Sequence, residues 1–317
     1  MKLGGVVPCT NGKSAGSVHA AGRDLDPSAS VRDAADRWHG LLAAAPPCCP
    51  ARDLYKGPGW VASLGLVAAL HGTGCEVDWR IVSAGYGLLR PEELVTRYAA
   101  TFLAGHPDSL PGVADGAEAS GAWWTLINEA RRQPQPVLQF ADQVDGLIVA
   151  ASATYVDAIG HELIAAARLA PTVVFCAGRP KDPAVAGLAP RFDRRLREGD
   201  DPFVGGGDVG FNQRVATRCV EVLGPDVVDQ ARVEELLTEA MDREGPVHHT
   251  RRVASDSTVM AFIDAALTVD PSASRTALLR RWRDRGRACE QARFGALYGR
   301  VIEERDEQLT LGEAACG

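Results

Sequence analysis

Short apolar runs alternate along the chain with longer segments in which apolar residues recur at helical spacing. The apolar runs predict four buried strands, at residues 3–7, 77–82, 146–150 and 172–176. The longer segments predict helices at residues 31–44, 60–71, 91–103, 122–132 and 155–168. Because strands alternate with helices, we expect an α/β fold, with a mainly parallel four-stranded sheet and helices on both of its faces.

The last third of the chain has a different pattern. A charged and then glycine-rich stretch at 193–210 precedes two predicted helices, at 211–224 and 229–244. We place a boundary near residue 245, between an α/β catalytic domain at 1–245 and a helical, basic, nucleic-acid-binding module at 246–317. The module contains three predicted helices, at 257–267, 270–286 and 287–304, and the short turn at Gly286 is typical of a helix-turn-helix unit.

Charge is unevenly distributed along the sequence. The net charge is −7, yet residues 272–300 hold eight arginines and two acidic residues, a local charge of +6. A basic segment on an acidic protein is typical of a nucleic-acid partner. No apolar run approaches the ~20 residues of a membrane helix, and the first apolar run is too short for a secretory signal, so we expect a cytoplasmic protein.

The eight cysteines do not resemble a metal site. They form no C-x-x-C pair, and His248 and His249 have no cysteine close to them in sequence. Zinc sites need paired ligands at short spacing. We therefore expect reduced thiols, and neither a metal nor a cofactor.

Polar loops follow the predicted strands, at residues 8–13, 83–89, 152–157 and 177–180. Parallel strands end at one edge of a sheet, where α/β proteins bind ligands, so we expect these loops to converge. In the first loop, PCTNGK, Thr10 and Asn11 can hold a water and Lys13 can contact a phosphate. The loop lacks the G-x-x-x-x-G-K-[ST] spacing, which argues against an ATPase. A capped turn is the structural alternative.

Other candidate residues lie in three further segments. In SAGYGLL, Tyr86 can stack on a nucleobase, at ~1–3 kcal/mol, beside Ser83, or it can pack on a helix. Asp108 can orient a water or serve as an ordinary turn residue. Asn212 and Arg214 follow FVGGGDVG, whose backbone N–H groups would attract an anion at a helix start; a flexible surface loop is the alternative.

The basic tail contains residue types suited to DNA. Arginine binds phosphates bidentately, and glutamine suits adenine edges. The candidates are Arg281, Arg283, Arg285, Arg287, Gln291 and Arg293. The alternative is a three-helix bundle with a solvated basic face.

The motifs PCTNGK, LYKG…W, SAGYGLL and YAATF together resemble a bacterial domain family associated with nucleic-acid modification and anti-phage gene clusters, distantly similar to the peroxide-stress, DNA-binding YaaA group. The tail LLRRWRDRGRACEQARFGALY is similar to a helical module often joined to that domain. The resemblance covers residues 1–110 and, more loosely, 190–303. Some antiviral members are similar to DNA glycosylases that remove glucosylated bases. The loop after the first strand would then correspond to the water-positioning loop of the uracil-glycosylase superfamily, with Asn11 at the matching position.

The resemblance implies a DNA glycosylase that removes a modified base, such as a glucosylated one, from phage DNA and leaves an abasic site, in antiviral defence. Asn11 would position water, Asp108 would face the sugar cation and Tyr86 would stack on the extruded base. Ser83 or Asn212 would read the base edge, and phosphates would be held by Lys13, Arg214 and the tail arginines. The alternatives are a non-catalytic, YaaA-like DNA-binding protein and a nucleobase or nucleotide transferase.

Overall fold

The apolar runs form the strands of one central sheet, and the amphipathic segments form helices packed against it. A computed structural model describes residues 1–112, 116–197, 202–244 and 252–315. The chain divides into two compact units, Met1–Pro246 and Val247–Gly317. No helix of the described residues is long and apolar enough to cross a membrane.

The strands and α-helices of the described residues are numbered in chain order. The strands are β1 (Lys2–Pro8), β2 (Ala20–Ala21), β3 (Cys49–Pro50), β4 (Glu76–Ser83), β5 (Gly87–Leu89), β6 (Leu94–Val95), β7 (Tyr98–Ala99), β8 (Gly146–Ala150), β9 (Thr172–Phe175), β10 (Arg252–Val253) and β11 (Arg287–Ala288). The helices are α1 (Val31–Ala43), α2 (Ala51–Leu54), α3 (Pro58–Gly72), α4 (Ala117–Ala130), α5 (Pro136–Ala141), α6 (Ala153–Ala166), α7 (Pro183–Ala186), α8 (Phe211–Leu223), α9 (Gln230–Glu244), α10 (Asp256–Val269), α11 (Arg275–Asp284) and α12 (Gln291–Ala315).

The central sheet has five strands in the order β5-β4-β1-β8-β9. All four predicted strands are present, and their pairings are parallel. The fifth strand, β5, is antiparallel to β4, and it lies in the SAGYGLL segment that the sequence predicted as a loop. Ser83 pairs with Gly87, so only three residues turn the chain from one strand to the next. The fold is therefore α/β with a mainly parallel sheet, as predicted, and one strand larger.

Two adjacent glycines of β1 show how closely helices cover both faces of the sheet. A Cβ added at Gly4 would lie 3.2 Å from Phe140 of α5, whereas one added at Gly5 would lie 3.0 Å from Leu70 of α3. Successive residues of a strand point to opposite faces, so α5 and α3 cover opposite faces. The absence of side chains at both positions lets these helices approach the central strand.

Serine caps begin three of the helices. The Ser30 side chain accepts a hydrogen bond from the backbone N–H of Asp33 at the start of α1, at 3.1 Å. Ser255 and Ser274 do the same at the starts of α10 and α11. Each cap satisfies a backbone donor that the first helical turn leaves unpaired.

The predicted helix at 91–103 is wrong. This segment forms the two short strands β6 and β7, which pair with β3 and β2. Val95, Tyr98 and Phe102 are spaced as on a helix face, but all three are buried in an extended segment. The extended path places Tyr98 beneath the loop that follows β1.

The order of the strands defines a switch point in the sheet. From β1 the chain continues to β4 on one side and later to β8 on the other side. The crevice between the carboxyl ends of β1 and β8 is thus the place where such sheets bind ligands.

The second unit contains α10, α11 and α12 around its own core, which includes Ile263, Leu278, Trp282 and Phe294. Gly286, at a φ of +70°, ends the turn after α11. The short strand β11 follows and pairs in parallel with β10 before α12 begins. Because a strand pairing lies between the last two helices, the helix-turn-helix arrangement stays a prediction.

Candidate active site

The loop after β1 is tied to the segment before α3. Thr10 Oγ1 donates to the carbonyl oxygens of Gly12 and Lys56, at 3.0 and 3.1 Å. The backbone N–H of Lys56 donates to the Gly12 carbonyl at 2.8 Å. A Cβ at Gly12 would lie 2.7 Å from the Lys56 carbonyl oxygen, so this close approach requires glycine. The role of Thr10 in the structure is to hold this loop in place.

A cleft of about 390 Å³ opens beside this loop. Its lining comes from the loop after β1, from the 3₁₀ turn at Gly22–Asp24 and from the segment after β7. The lining residues are Asn11, Lys13, Arg23, Ala99, His106, Pro107 and Asp108. Three of the sequence-predicted site residues, Asn11, Lys13 and Asp108, therefore meet in one cleft.

Asn11 pairs with His106 across the cleft. The structure places Asn11 Nδ2 3.3 Å from His106 Nε2. The other ring nitrogen, Nδ1, accepts a hydrogen bond from the backbone N–H of Asp108 at 3.0 Å. Because a neutral ring that accepts at Nδ1 carries its proton on Nε2, the pair is complementary when the amide is turned so that its oxygen faces the ring. In that orientation the amide NH₂ group faces the cleft.

Asp108 is held by Arg23 in a bidentate ion pair. Arg23 Nε and Nη2 donate to the two carboxylate oxygens at 2.6 and 2.7 Å. The Asp108 side chain is 8% exposed and that of Arg23 is 59% exposed. The hydrogen bond to Asp108 raises the pKa of Arg23. Because both of its oxygens are bonded to a cation, Asp108 does not present a free carboxylate to a sugar, whereas the sequence predicted that it would.

Lys13 is the half-buried cation of the cleft. Its Nζ donates to the Thr10 carbonyl oxygen at 3.0 Å and lies 4.4 Å from the centre of the Tyr98 ring. Burial lowers the pKa of Lys13, and electrostatic interactions with Cys9 and Asp108 oppose that shift. The Lys13 amine is therefore easier to deprotonate than that of an ordinary lysine.

Buried hydroxyl groups lie beneath Lys13. Tyr98 Oη is 2.9 Å from Tyr55 Oη and 2.7 Å from Ser83 Oγ, and Tyr155 Oη is 3.3 Å from Cys9 Sγ. Burial raises the pKa of both Tyr98 and Tyr155, so these phenols stay neutral. Since Cys9 follows β1 and Tyr155 follows β8, their contact spans the switch point of the sheet.

Ser83 and Tyr86 do not line the cleft. Ser83 is 1% exposed, and its hydroxyl accepts from the backbone N–H groups of Gly85 and Tyr86, at 3.2 and 2.9 Å. The Tyr86 hydroxyl accepts from the backbone N–H of Thr96 at 2.9 Å, and burial raises its pKa to about 12. Packing thus encloses Ser83, which contradicts its expected reading of a base edge, whereas Tyr86 is partly buried and its stacking on a base stays a prediction.

Asn212 and Arg214 bind backbone groups of the protein instead of facing an open pocket. Asn212 Oδ1 accepts from the Ala177 N–H at 2.9 Å, and Nδ2 donates to the Ala151 carbonyl at 2.7 Å. Asn212 therefore joins the loops that follow β8 and β9. Arg214 donates to the Val209 carbonyl at 2.7 Å and to that of Gly207, both in its own glycine-rich loop. Both side chains are thus engaged by backbone groups, and their contacts with a phosphate or a base edge stay predictions.

The predicted nucleic-acid-binding residues of the second unit differ in their exposure and in their contacts within the protein. Arg281, Arg285 and Arg287 are exposed, and the last two stack on aromatic rings, Arg285 on Phe262 at 4.9 Å and Arg287 on Trp282 at 5.3 Å. Arg283 donates to the Cys289 carbonyl at 3.2 Å, and Gln291 lines a groove of about 350 Å³ beside it.

Arg293 is bound within the second unit. It forms an ion pair with Asp256 and donates to the Ala254 carbonyl at 2.8 Å. It therefore links the start of α10 to α12, which makes it less free to contact DNA than the exposed arginines.

Sequence reasoning missed two partners in the cleft. His106 had a local signal, since it lies two residues before Asp108 in a loop bounded by glycine and proline. Arg23 had none, because its pairing with Asp108 joins residues 85 positions apart. Among the described residues, no group of three His, Cys, Asp or Glu side chains is arranged to hold a metal ion.

Comparisons with known proteins identify no relative of this chain: no family model, no curated protein and no solved structure matches it. The similarity to YaaA-like and glycosylase families therefore stays a prediction from the motifs.

Proposed function

We propose that this protein is a DNA glycosylase that releases a modified base, such as a glucosylated one, from phage DNA in antiviral defence. The observation that supports this function is the cleft beside the carboxyl end of β1, where Asn11, His106 and Lys13 come together from two loops. The volume of the cleft, about 390 Å³, falls within the range of small-molecule pockets. It can therefore accommodate a single extruded nucleotide unit.

The chemistry requires an oriented water. Breaking an N-glycosidic bond creates a sugar with oxocarbenium character, which a water attacks from the side opposite the leaving base. Asn11 lies at the cleft with its amide fixed by His106, whose own orientation is fixed by the backbone N–H of Asp108. In the proposed mechanism, Asn11 binds the attacking water and His106 positions Asn11.

Asp108 has a different role in the proposal from the one expected from the sequence, because it acts through Arg23. Arg23 is more than half exposed and is held in place by the buried carboxylate of Asp108. A guanidinium fixed in this way suits a phosphate of the DNA backbone. Asp108 thus supports phosphate binding and orients His106, and it does not contact the sugar cation.

The second unit supplies the wider DNA contact in this proposal. The exposed cations Arg281, Arg285 and Arg287 lie near the turn before α12. Gln291 stands at the first position of that helix. A helix-turn-helix-like use of this region would give salt-dependent binding with little dependence on sequence, while the cleft selects the modified base.

The direct test incubates the full chain with phage DNA that carries glucosylated bases and with matched unmodified DNA, followed by alkali. We expect strand breaks at abasic sites, and free modified base, only from the glucosylated DNA. Binding to both DNAs without release of any base would refute the proposed glycosylase activity.

That second outcome would favour a non-catalytic DNA-binding protein of the YaaA kind. The observation on its side is that Ser83, expected to read the base edge, is enclosed by packing, while the exposed arginines of the second unit remain. A steep salt dependence of the binding affinity for both DNAs would identify such a DNA-binding protein.

A further inference from the structure

Lysine is rare in this chain, and one of its lysines has an unusual position. The sequence contains only four, Lys2, Lys13, Lys56 and Lys181. Lys2 forms an ion pair with Glu76 at 3.3 Å, and Lys56 and Lys181 are exposed. Of these four, Lys13 alone lines the cleft of the proposed active site.

The Lys13 amine lacks a direct carboxylate partner within the described residues. Its Nζ bonds to a backbone carbonyl and lies over the Tyr98 ring, at 3.0 and 4.4 Å. Asp108 lines the same cleft, but both of its oxygens are bonded to Arg23. A lysine kept for phosphate binding alone would gain from full exposure and free rotation, whereas Lys13 is fixed between the loop and a buried ring.

We propose that Lys13 is a covalent nucleophile that forms an imine with the sugar of an abasic site. This inference rests on the proposed function, because base release produces that sugar. The open-chain form of an abasic sugar carries an aldehyde at C1′, and lysine amines condense with aldehydes. Lys13 would thereby convert a simple glycosylase into a glycosylase with strand-cleaving activity.

The reaction balances without a further reactant. The lone pair of neutral Lys13 Nζ attacks C1′ of the aldehyde, and the resulting carbinolamine takes up a proton from solvent and loses water to give a protonated imine. Transfer of the C2′ proton to solvent then expels the 3′ phosphate, which breaks the C3′–O bond. Hydrolysis of the imine returns the lysine and releases the cleaved end.

The experiment uses an oligonucleotide with a preformed abasic site, so that base release is not needed. The full chain is incubated with it in the presence of sodium cyanoborohydride, which reduces an imine to a stable amine. We expect a covalent protein–DNA adduct whose modified peptide contains Lys13. Lys13→Arg keeps a positive charge that can contact phosphate, yet it should lose the adduct.

Two further variants control for other amines and for folding. Lys56→Ala removes the exposed lysine whose carbonyl contacts Thr10, and it should retain the adduct. Lys13→Ala should lose it, while circular dichroism shows that both Lys13 variants are folded. No adduct from the wild-type chain, or an adduct that persists in folded Lys13→Arg, overturns the proposal.

The outcomes also separate this inference from the proposed function. Release of modified base from phage DNA without any trapped adduct leaves the glycosylase standing and removes Lys13 as a nucleophile. An adduct at Lys13 on preformed abasic DNA, without base release from phage DNA, supports Lys13 and refutes the glycosylase.

The pH profile gives a second readout. Because burial lowers the pKa of Lys13 below 10.5, the adduct yield should rise with pH and reach its plateau below pH 10.5. Between the lowered pKa and 10.5 the unfolded chain binds more protons, so the cost of burying Lys13 decreases as pH rises through that window. The ionisable groups around Lys13 are Cys9, Tyr55, Tyr98, Arg23, His106 and Asp108. A yield that still climbs above pH 10.5 would contradict the role of the buried amine.

Discussion

Two loops leave the same edge of the sheet, but one lines the cleft with its side chains and the other is packed against the protein. After β1, Asn11 is exposed and Lys13 is half-buried, and both line the cleft. After β4, Ser83 is buried and the Tyr86 hydroxyl is bonded to the backbone. Both loops are polar and glycine-containing in sequence, so the difference arises from what packs over them.

Tryptophans close the turn after β4. Trp38 Nε1 donates to the Gly85 carbonyl at 2.7 Å, and Trp123 Nε1 donates to the Ala84 carbonyl at 2.8 Å. These donors come from α1 and α4, which are remote in sequence from the turn. The loop after β1 is instead tied to residues 54–56 through its backbone and the Thr10 hydroxyl, which leaves Asn11 and Lys13 lining the cleft. Both loops lie at the carboxyl edge of the sheet, but only the loop that is not covered by other side chains can form a site there.

The largest effect is expected at the cleft beside the loop after β1. His106→Ala should slow base release about 100-fold, because Asn11 loses the partner that positions it and misplacement by about 1 Å can cost that much. Single-turnover release of base measures the effect, with exposed His39→Ala as the matched control. An undiminished rate in folded His106→Ala would mean that Asn11 is positioned without this ring.

In the packed region around the turn after β4, the expected effect of a substitution is on stability. Tyr98→Phe removes the hydroxyl that bonds to Tyr55 and Ser83, so the free energy of unfolding should fall by about 1–3 kcal/mol. Denaturant titration measures it. Tyr298→Phe, which removes one half-buried hydrogen bond in the second unit, should cost less. Loss of base release by Tyr98→Phe at unchanged stability would place the packed region around the turn after β4 within the active site.

The smallest effect concerns the second unit. Replacing exposed Arg281 and Arg287 by alanine should flatten the salt dependence of DNA binding by about 2 in the log–log slope, since each arginine neutralises one phosphate. Arg293→Ala, whose native side chain is paired with Asp256, is the matched control and should leave the slope unchanged. Equal slopes in the double variant and the wild type would show that these arginines do not bind phosphate.

Much of the fold could be predicted from local pattern. The strands β1, β4, β8 and β9 are apolar because helices cover both faces of a parallel sheet. The helix predicted at 91–103 is wrong because Val95, Tyr98 and Phe102 mimic helical spacing, whereas Val95 and Tyr98 pair with β3 and β2, which are remote in sequence. Short strands of this kind depend on tertiary pairing that no local pattern carries.

The site was only partly predictable for the same reason. Asn11 and Lys13 follow a recognisable strand end, so their position could be inferred. The pairing of Arg23 with Asp108, and the enclosure of Ser83 by Tyr98, arise from long-range packing. A pattern of residues indicated which edge of the sheet to consider, and the packing decided which side chains reach it.

One measurement tests the contrast between the two loops most directly. Base release from glucosylated phage DNA is compared for Asn11→Ala and Ser83→Ala, each corrected for its folded fraction. The cleft next to β1 predicts a loss of about 100-fold or more for Asn11→Ala, with Ser83→Ala less stable but as active per folded molecule as the wild type. Full activity in Asn11→Ala together with an inactive, folded Ser83→Ala would contradict the assignment of the site.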